Sequence, residues 1–430
     1  MKILIYLLFL SSSVFAKYGS LSFRHNDPAS VIDNQTINLW WINASLEYES
    51  NKFIFDSEFQ YEEGGLFVFS IKELYYKNSY TNIDIKAGRF NLDYSYIDKK
   101  WGLGKINNRV NFDFFHPGQE GLIGLGLSFK KFRNITIDGF ISYVNAPELN
   151  PPLNIDNDQG TITSKSSWAD APDSEATSAG VVFPLTYNVN TPSISDLALN
   201  PSVGLNIKFS DLIASDLSMN IFGIYKPENQ LSNEANVELV ITPTNNGKVT
   251  IDPSLTQHFV FGANLSKVIQ DKYFFNLGVI SNKINEKAIV DSDIIDDNIG
   301  LGIDINRSNE TYAEISSSAR FESIFIDLGF LKRLSSFKQE SSLDTLPRWD
   351  STMHFHLEYQ FLTKFLLSGD LKYDLSNKDR LYQASVNYTY SPYLSAKLGF
   401  QIIGSPPNGD GYWARYREND SVFADVKLTY

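Results

Sequence analysis

Cysteine is absent from the 430 residues, which excludes disulfides and thiolate metal centres. Beyond the N-terminus no apolar run approaches the ~18 to 20 residues that a membrane-spanning helix needs. An excess of basic residues is missing too. The 37 Lys and Arg stand against 50 Asp and Glu, for a formal net charge of −13, so the chain lacks the cations that would neutralise a nucleic-acid backbone. Runs of Ala, Leu and Glu that build helices are scarce. Aromatic residues, by contrast, make up 14%, with 23 Tyr and 31 Phe, and hydrophobic residues 43%. This mixture favours strands and suffices for a sizeable core.

The N-terminus carries an export address. Met1 and Lys2 form a short basic region, Ile3 to Leu10 an apolar one, and Val14-Phe15-Ala16 places small residues where a signal peptidase requires them. Residues 1–16 therefore read as a signal peptide cleaved after Ala16, and residues 17–430 as one domain.

That domain alternates with a period of two. Tyr382, Ala384, Val386, Tyr388 and Tyr390 are apolar or aromatic, while Gln383, Ser385, Asn387 and Thr389 between them are polar. Met353, Phe355, Leu357, Tyr359 and Phe361 alternate in the same way with His354, His356, Glu358 and Gln360. Segments of this kind are long enough for the ~9 to 11 residues of a membrane-spanning strand, and aromatics mark their ends. About 18 such stretches are counted, with 16 as the lower alternative, and an even number suits a closed antiparallel barrel. A first strand that starts in the periplasm puts short turns such as Ser50-Asn51 and Thr363 on that side. The long connections 91–120, 146–201, 227–256 and 283–309 then lie outside. The fold class read from the sequence is thus all-β, a transmembrane antiparallel barrel with long outer loops and short periplasmic turns.

The end of the chain agrees. Val426, Leu428 and Tyr430 alternate up to a terminal aromatic, with Phe423 further back, although Asp425 stands where a small residue is usual. With the signal peptide, the strand count and the long third outer loop, this resembles the Gram-negative outer-membrane barrels of the general porin type. The resemblance implies an outer-membrane location, membrane lipid and the barrel-assembly machinery as partners, no nucleic acid, and a homotrimer as an open alternative to a monomer. It implies passive diffusion of small hydrophilic solutes or ions. Two other readings stand beside it: a sugar-type specific channel in which Trp101 and nearby tyrosines form an aromatic slide, and a receptor or adhesin, motivated by the long connection 146–201.

In general porins the third outer loop folds inward and narrows the pore. Here it interleaves both charge signs with aromatics, and Lys99, Lys100, Trp101, Lys105, Arg109 and Asp113 become candidates for the constriction. Alternation assigns Asp56, Glu58, His354, His356, Glu358, Asp370, Lys372 and Lys397 to the lumen lining. Phe423, Val426, Leu428 and Tyr430 are read as the assembly signal. His354, His356 and Glu358 have zinc-type donors, but successive lumen positions on one strand seldom converge on one ion. Asp291, Asp293, Asp296 and Asp297 lack the spacing of a calcium loop, and Gly102-Leu103-Gly104-Lys105 lacks that of a phosphate loop. The five histidines have no lipase-like setting of Ser, Asn and Gly. No catalytic residue, metal or cofactor is assigned.

Overall fold

The computed structural model describes residues 18–28, 39–50, 52–62, 66–110, 115, 117–132, 134–150, 153–164, 168–169, 171–178, 180–211, 216–240, 246–284, 299–303, 309–336, 346–406, 409, 411–416 and 419–429. The signal segment 1–16, Asp113, Asp291 to Asp297 and Tyr430 lie outside the described residues.

Eighteen strands form one antiparallel sheet. They are β1 (Tyr18–Pro28), β2 (Leu39–Glu49), β3 (Phe53–Glu62), β4 (Leu66–Ser79), β5 (Ile83–Phe90), β6 (Leu122–Phe132), β7 (Ile135–Ser142), β8 (Ser202–Phe209) and β9 (Leu217–Pro227). The second half comprises β10 (Gln257–Ile269), β11 (Tyr273–Ile284), β12 (Glu310–Phe321), β13 (Ile324–Arg333), β14 (Ser351–Phe361), β15 (Phe365–Asp374), β16 (Arg380–Ser391), β17 (Leu394–Gly404) and β18 (Ser421–Thr429). Each strand pairs with its neighbour in this order, and β1 pairs with β18 from Ser20↔Thr429 to Pro28↔Ser421, so the sheet closes on itself. Every stretch read from alternation holds one of these strands. Closure leaves no unpaired backbone edge, the condition that hydrocarbon imposes.

The two faces differ as the alternation requires. Phe67, Leu125, Leu205, Phe275, Ile315, Met353 and Leu398 are exposed on the outer surface, a band suited to lipid. At the short-turn end an outer aromatic girdle is continuous over three strands: Tyr359–Phe361 (6.0 Å), Phe361–Phe365 (5.1 Å) and Phe365–Tyr388 (4.8 Å between centroids). The turns at this end are brief, as at Glu322-Ser323 and Leu362 to Lys364.

Connections at the other end are not simple loops. Leu153–Asp156 pairs with Thr161–Ser164, and Glu175–Ser178, Val181–Val189, Asn246–Ser254, Ser232–Val240 and Ile299–Ile303 build a five-stranded sheet. Tyr187, Ala235, Val249 and Ile251 form its small core. Chain of this length outside the wall gains stability only by burying apolar side chains of its own.

Candidate functional site

The chain between β5 and β6 folds into the barrel and lies along the inner wall. Its local structure explains why it holds a shape. Helix α1 (Tyr96–Trp101) starts at Ser95, whose hydroxyl accepts from the Asp98 N–H (3.2 Å), and stops at Gly102 with φ 57°. The Asp98 carboxylate then accepts from the backbone N–H groups of Lys105 (2.7 Å) and Ile106 (3.0 Å). Asn107 closes the base of the loop: its Oδ1 accepts from Leu92 N–H (2.9 Å) and its Nδ2 donates to Leu92 O (3.1 Å). Burial holds the Asp98 carboxyl above the usual carboxylate range. The Gly102-to-Lys105 stretch thus has a structural role. Gly104 takes φ 65°, and a Cβ there would lie 2.4 Å from Arg109 Nε.

The wall is shaped to receive this segment. On β8, β11 and β13 the inward positions Gly204, Gly278 and Gly329 leave room, and an added Cβ would meet Tyr94 at 3.2 Å, Ile97 at 2.9 Å and Lys100 with Trp101 at 3.2 Å respectively. Asn220 Nδ2 donates to Tyr94 O (2.6 Å), and Asn264 Nδ2 donates to Asn220 Oδ1 (3.0 Å). Lys100 Nζ lies 3.0 Å from Asp327 and 4.0 Å from Glu314. Lys105 pairs with Glu310, and Arg109 meets Glu148 of the next outer connection at 3.0 Å. Glu120 ties the return limb to Ser70 and Arg89.

Other outer connections descend onto the same segment. Trp349 Nε1 donates to Trp101 O (3.1 Å), Trp413 Nε1 donates to Arg348 O (3.2 Å), and the Arg348 guanidinium stands 4.9 Å from the Trp413 ring. Trp101, Trp349 and Trp413 are each buried to 2% exposure or less.

The constriction candidates therefore divide. Lys99 stays 68% exposed, opposite Asp93 at 3.7 Å. Lys100, Lys105 and Arg109 are committed to carboxylates, because a buried cation without a partner is costly. Trp101 is packed away and offers no ring face to a solute, which removes the residue that motivated the sugar slide.

Beside this segment a polar chamber of about 370 Å³ is lined by Asp84, Lys86, Asp93, Lys130, Asp138 and Lys208, among others. Lys130 pairs with Asp84, and Lys208 with Asp138 at 3.1 Å. Lys86 stacks over Tyr75 (5.3 Å) and Phe90 (5.5 Å) and makes no ion pair among the described residues.

The lining candidates occupy inward positions. Glu58 pairs with Lys72, and Asp56 is registered with Glu47 and Glu73. His354 Nε2 is 2.8 Å and His356 Nδ1 3.4 Å from Asp370, and His356 Nε2 is 3.4 Å from Glu358. Lys372 stands over Trp349 (5.8 Å) and Lys397 over Phe423 (5.4 Å). No group of three or more potential metal donors converges among the described residues. On β18, Val426 and Leu428 face outward, whereas Phe423 belongs to the opposite, inward face and is buried.

Nothing in the local pattern singles out Glu310, Glu314, Asp327, Glu148 or Lys86. The inward glycines carried a usable signal, since a glycine inside an alternating strand marks a close approach.

A closed antiparallel barrel with a segment pinned inside its lumen is the class that this geometry defines. Among solved structures the chain is similar to a BenF-like porin from Pseudomonas fluorescens Pf-5, with 10% identity over 96% of this chain and 97% of that one and a TM-score of 0.48. It is similar to OpdL from Pseudomonas aeruginosa (9% identity, 96% of each chain, TM-score 0.47) and to OccAB4 from Acinetobacter baumannii (7%, 96% of each, 0.47). No family model and no curated protein matches the chain.

Proposed function

We propose that the protein is an outer-membrane porin, a passive diffusion channel for small hydrophilic solutes or ions, with no catalytic chemistry. The observation that carries this reading is the pinned segment: a closed wall holds it away from part of the lumen through Lys100–Asp327 and Arg109–Glu148. Lys86 and the exposed Lys99 and Asp93 stand beside it, where they can act on a passing ion. In this reading the chain crosses the inner membrane with residues 1–16 as its signal, is cleaved after Ala16, and is inserted by the barrel-assembly machinery, whose recognition involves the terminal strand up to Tyr430. Residues 17–430 act as one barrel domain, and trimer formation is compatible with it.

Planar-bilayer recording of the purified protein tests the reading. Discrete, ohmic conductance steps with a measurable reversal potential in a salt gradient are expected, and a protein that inserts yet gives no steps overturns it. An unboiled sample is expected to migrate faster than a boiled one on an SDS gel, and identical migration overturns the barrel itself.

A further inference from the structure

The outer wall carries a feature that conduction does not use. Between β11 and β16 the lipid-facing side chains enclose a groove of about 810 Å³, lined by Phe275, Ile315, Leu328, Phe330, Met353 and Tyr373 among others. It continues into a second groove of about 480 Å³ through the shared residues Phe355, Leu371 and Tyr382. The floor of the second groove is a row of small side chains: Gly369 is registered with Ala384, with Leu357 and Phe400 on either side. A Cβ added at Gly369 would meet nothing within 4 Å, so the hollow is open space rather than tight backbone packing. Such a concavity, in a wall that otherwise presents protruding aliphatic and aromatic side chains, offers apolar surface that a hydrocarbon chain can cover.

The upper end of the groove is cationic. Arg380 opens β16 on the long-loop side, is registered with Tyr373, and holds its guanidinium 5.5 Å from that ring. Lys332 points outward from β13 at the same rim, 44% exposed, and shares Asp350 at 3.6 Å. Phe330, Met353, Tyr373 and Arg380 form one registered row across four strands, which puts the cation at the side of the first groove. Arg380, Tyr382 and Ala384 follow at alternate positions of β16, so the cation lies toward the long-loop end from the Gly369–Ala384 floor.

We infer that this furrow binds one phosphorylated glycolipid of the outer leaflet, its acyl chains in the groove and a headgroup phosphate on Arg380, with Lys332 beside it. Charge complementarity selects the occupant: the cations at the rim match an anionic headgroup, and the apolar furrow matches the acyl chains that such a headgroup carries. The inference rests on the barrel's position in an outer membrane, not on its conducting.

The test uses the folded full-length protein in mixed micelles and native mass spectrometry, with hexa-acylated bisphosphoryl lipid A as probe. Its dephosphorylated form and phosphatidylglycerol serve as comparators. One molecule of the bisphosphoryl lipid is expected per barrel. Arg380→Glu is expected to weaken its retention by about fivefold or more, relative to the dephosphorylated form. Gly369→Leu adds a side chain where a Cβ meets nothing within 4 Å and is expected to weaken retention of both glycolipids. Equal retention of phosphatidylglycerol, variants that bind as wild type does, or oligomers that Gly369→Leu abolishes would each overturn the assignment. Single-channel conductance is expected to be unchanged in both variants, so a failure here is separable from a failure of the channel reading. Arg380 is exposed at the rim, so its variant keeps the inference falsifiable if Gly369→Leu does not assemble.

Discussion

Lys100 and Asp327 are 227 positions apart in the chain and 3.0 Å apart in the lumen. Their side chains are only 8% and 14% exposed, so each charge depends on the other. Removing one partner of such a pair costs ~3–5 kcal/mol, most of it from the orphaned charge. Asp327→Ala and Lys100→Ala are each expected to loosen the inner segment, raising single-channel conductance and open-level noise. The double variant is expected to be less disturbed than the sum of the two, and strict additivity in the recordings would show that they do not act as a pair.

Gly278 gives a second handle on the same segment. A side chain there points at Ile97 Cδ1 (2.9 Å) and Asn264 Oδ1 (2.7 Å). Gly278→Leu is expected to leave the barrel heat-modifiable on a gel while pushing helix α1 off the wall. Solute exclusion with polyethylene glycols of graded size is the measurement, and an unchanged cut-off would contradict the seating described for Ile97.

Ion preference is expected to depend on Lys86 more than on Lys105 and Arg109. Lys105 and Arg109 are paired with Glu310 and Glu148, whereas Lys86 has no carboxylate partner among the described residues. Lys86→Glu is expected to move the reversal potential toward cations. Lys105→Ala and Arg109→Ala are expected to change the size of the conductance more than its selectivity.

Asp98 links the segment to pH. Burial raises its pKa, so the pinned loop binds a proton more readily than a released one. The resulting stability is full below the ordinary carboxylate value of about 3.9 and is lost as pH rises through the raised value. Acidification from neutral is therefore expected to favour the pinned loop and lower the conductance. The wild-type change is expected to exceed that of Asp98→Asn, and equal pH profiles would refute the link.

The barrel was legible because each strand's faces meet different solvents. On β14 the outward Met353, Phe355 and Leu357 and the inward His354, His356 and Glu358 follow from alternation alone. The inner segment was legible as a stretch of chain but not in its electrostatics. Lys100 reads as a free cation until Asp327, on a strand far along the chain, is brought beside it. The outer sheet had a local signal in the alternation of Phe183, Leu185 and Tyr187, but its parallel pairing of Val181–Val189 with Asn246–Ser254 joins segments about 60 residues apart. Phe423 shows the limit of reading spacing loosely: one residue of phase puts it on the lumen side.

Pairing of Ser20 with Thr429 joins the two ends of the wall, and this fixes an order of events. The circle can be completed only after the last strand has been delivered, so until then two long strand edges stay open and need protection from each other and from neighbouring chains. Lys100 meets β13 and Trp101 meets β14, and both strands precede the seam. The inner segment can therefore be tucked in while the cylinder is still an open sheet, and the final zipping of β1 to β18 shuts it inside.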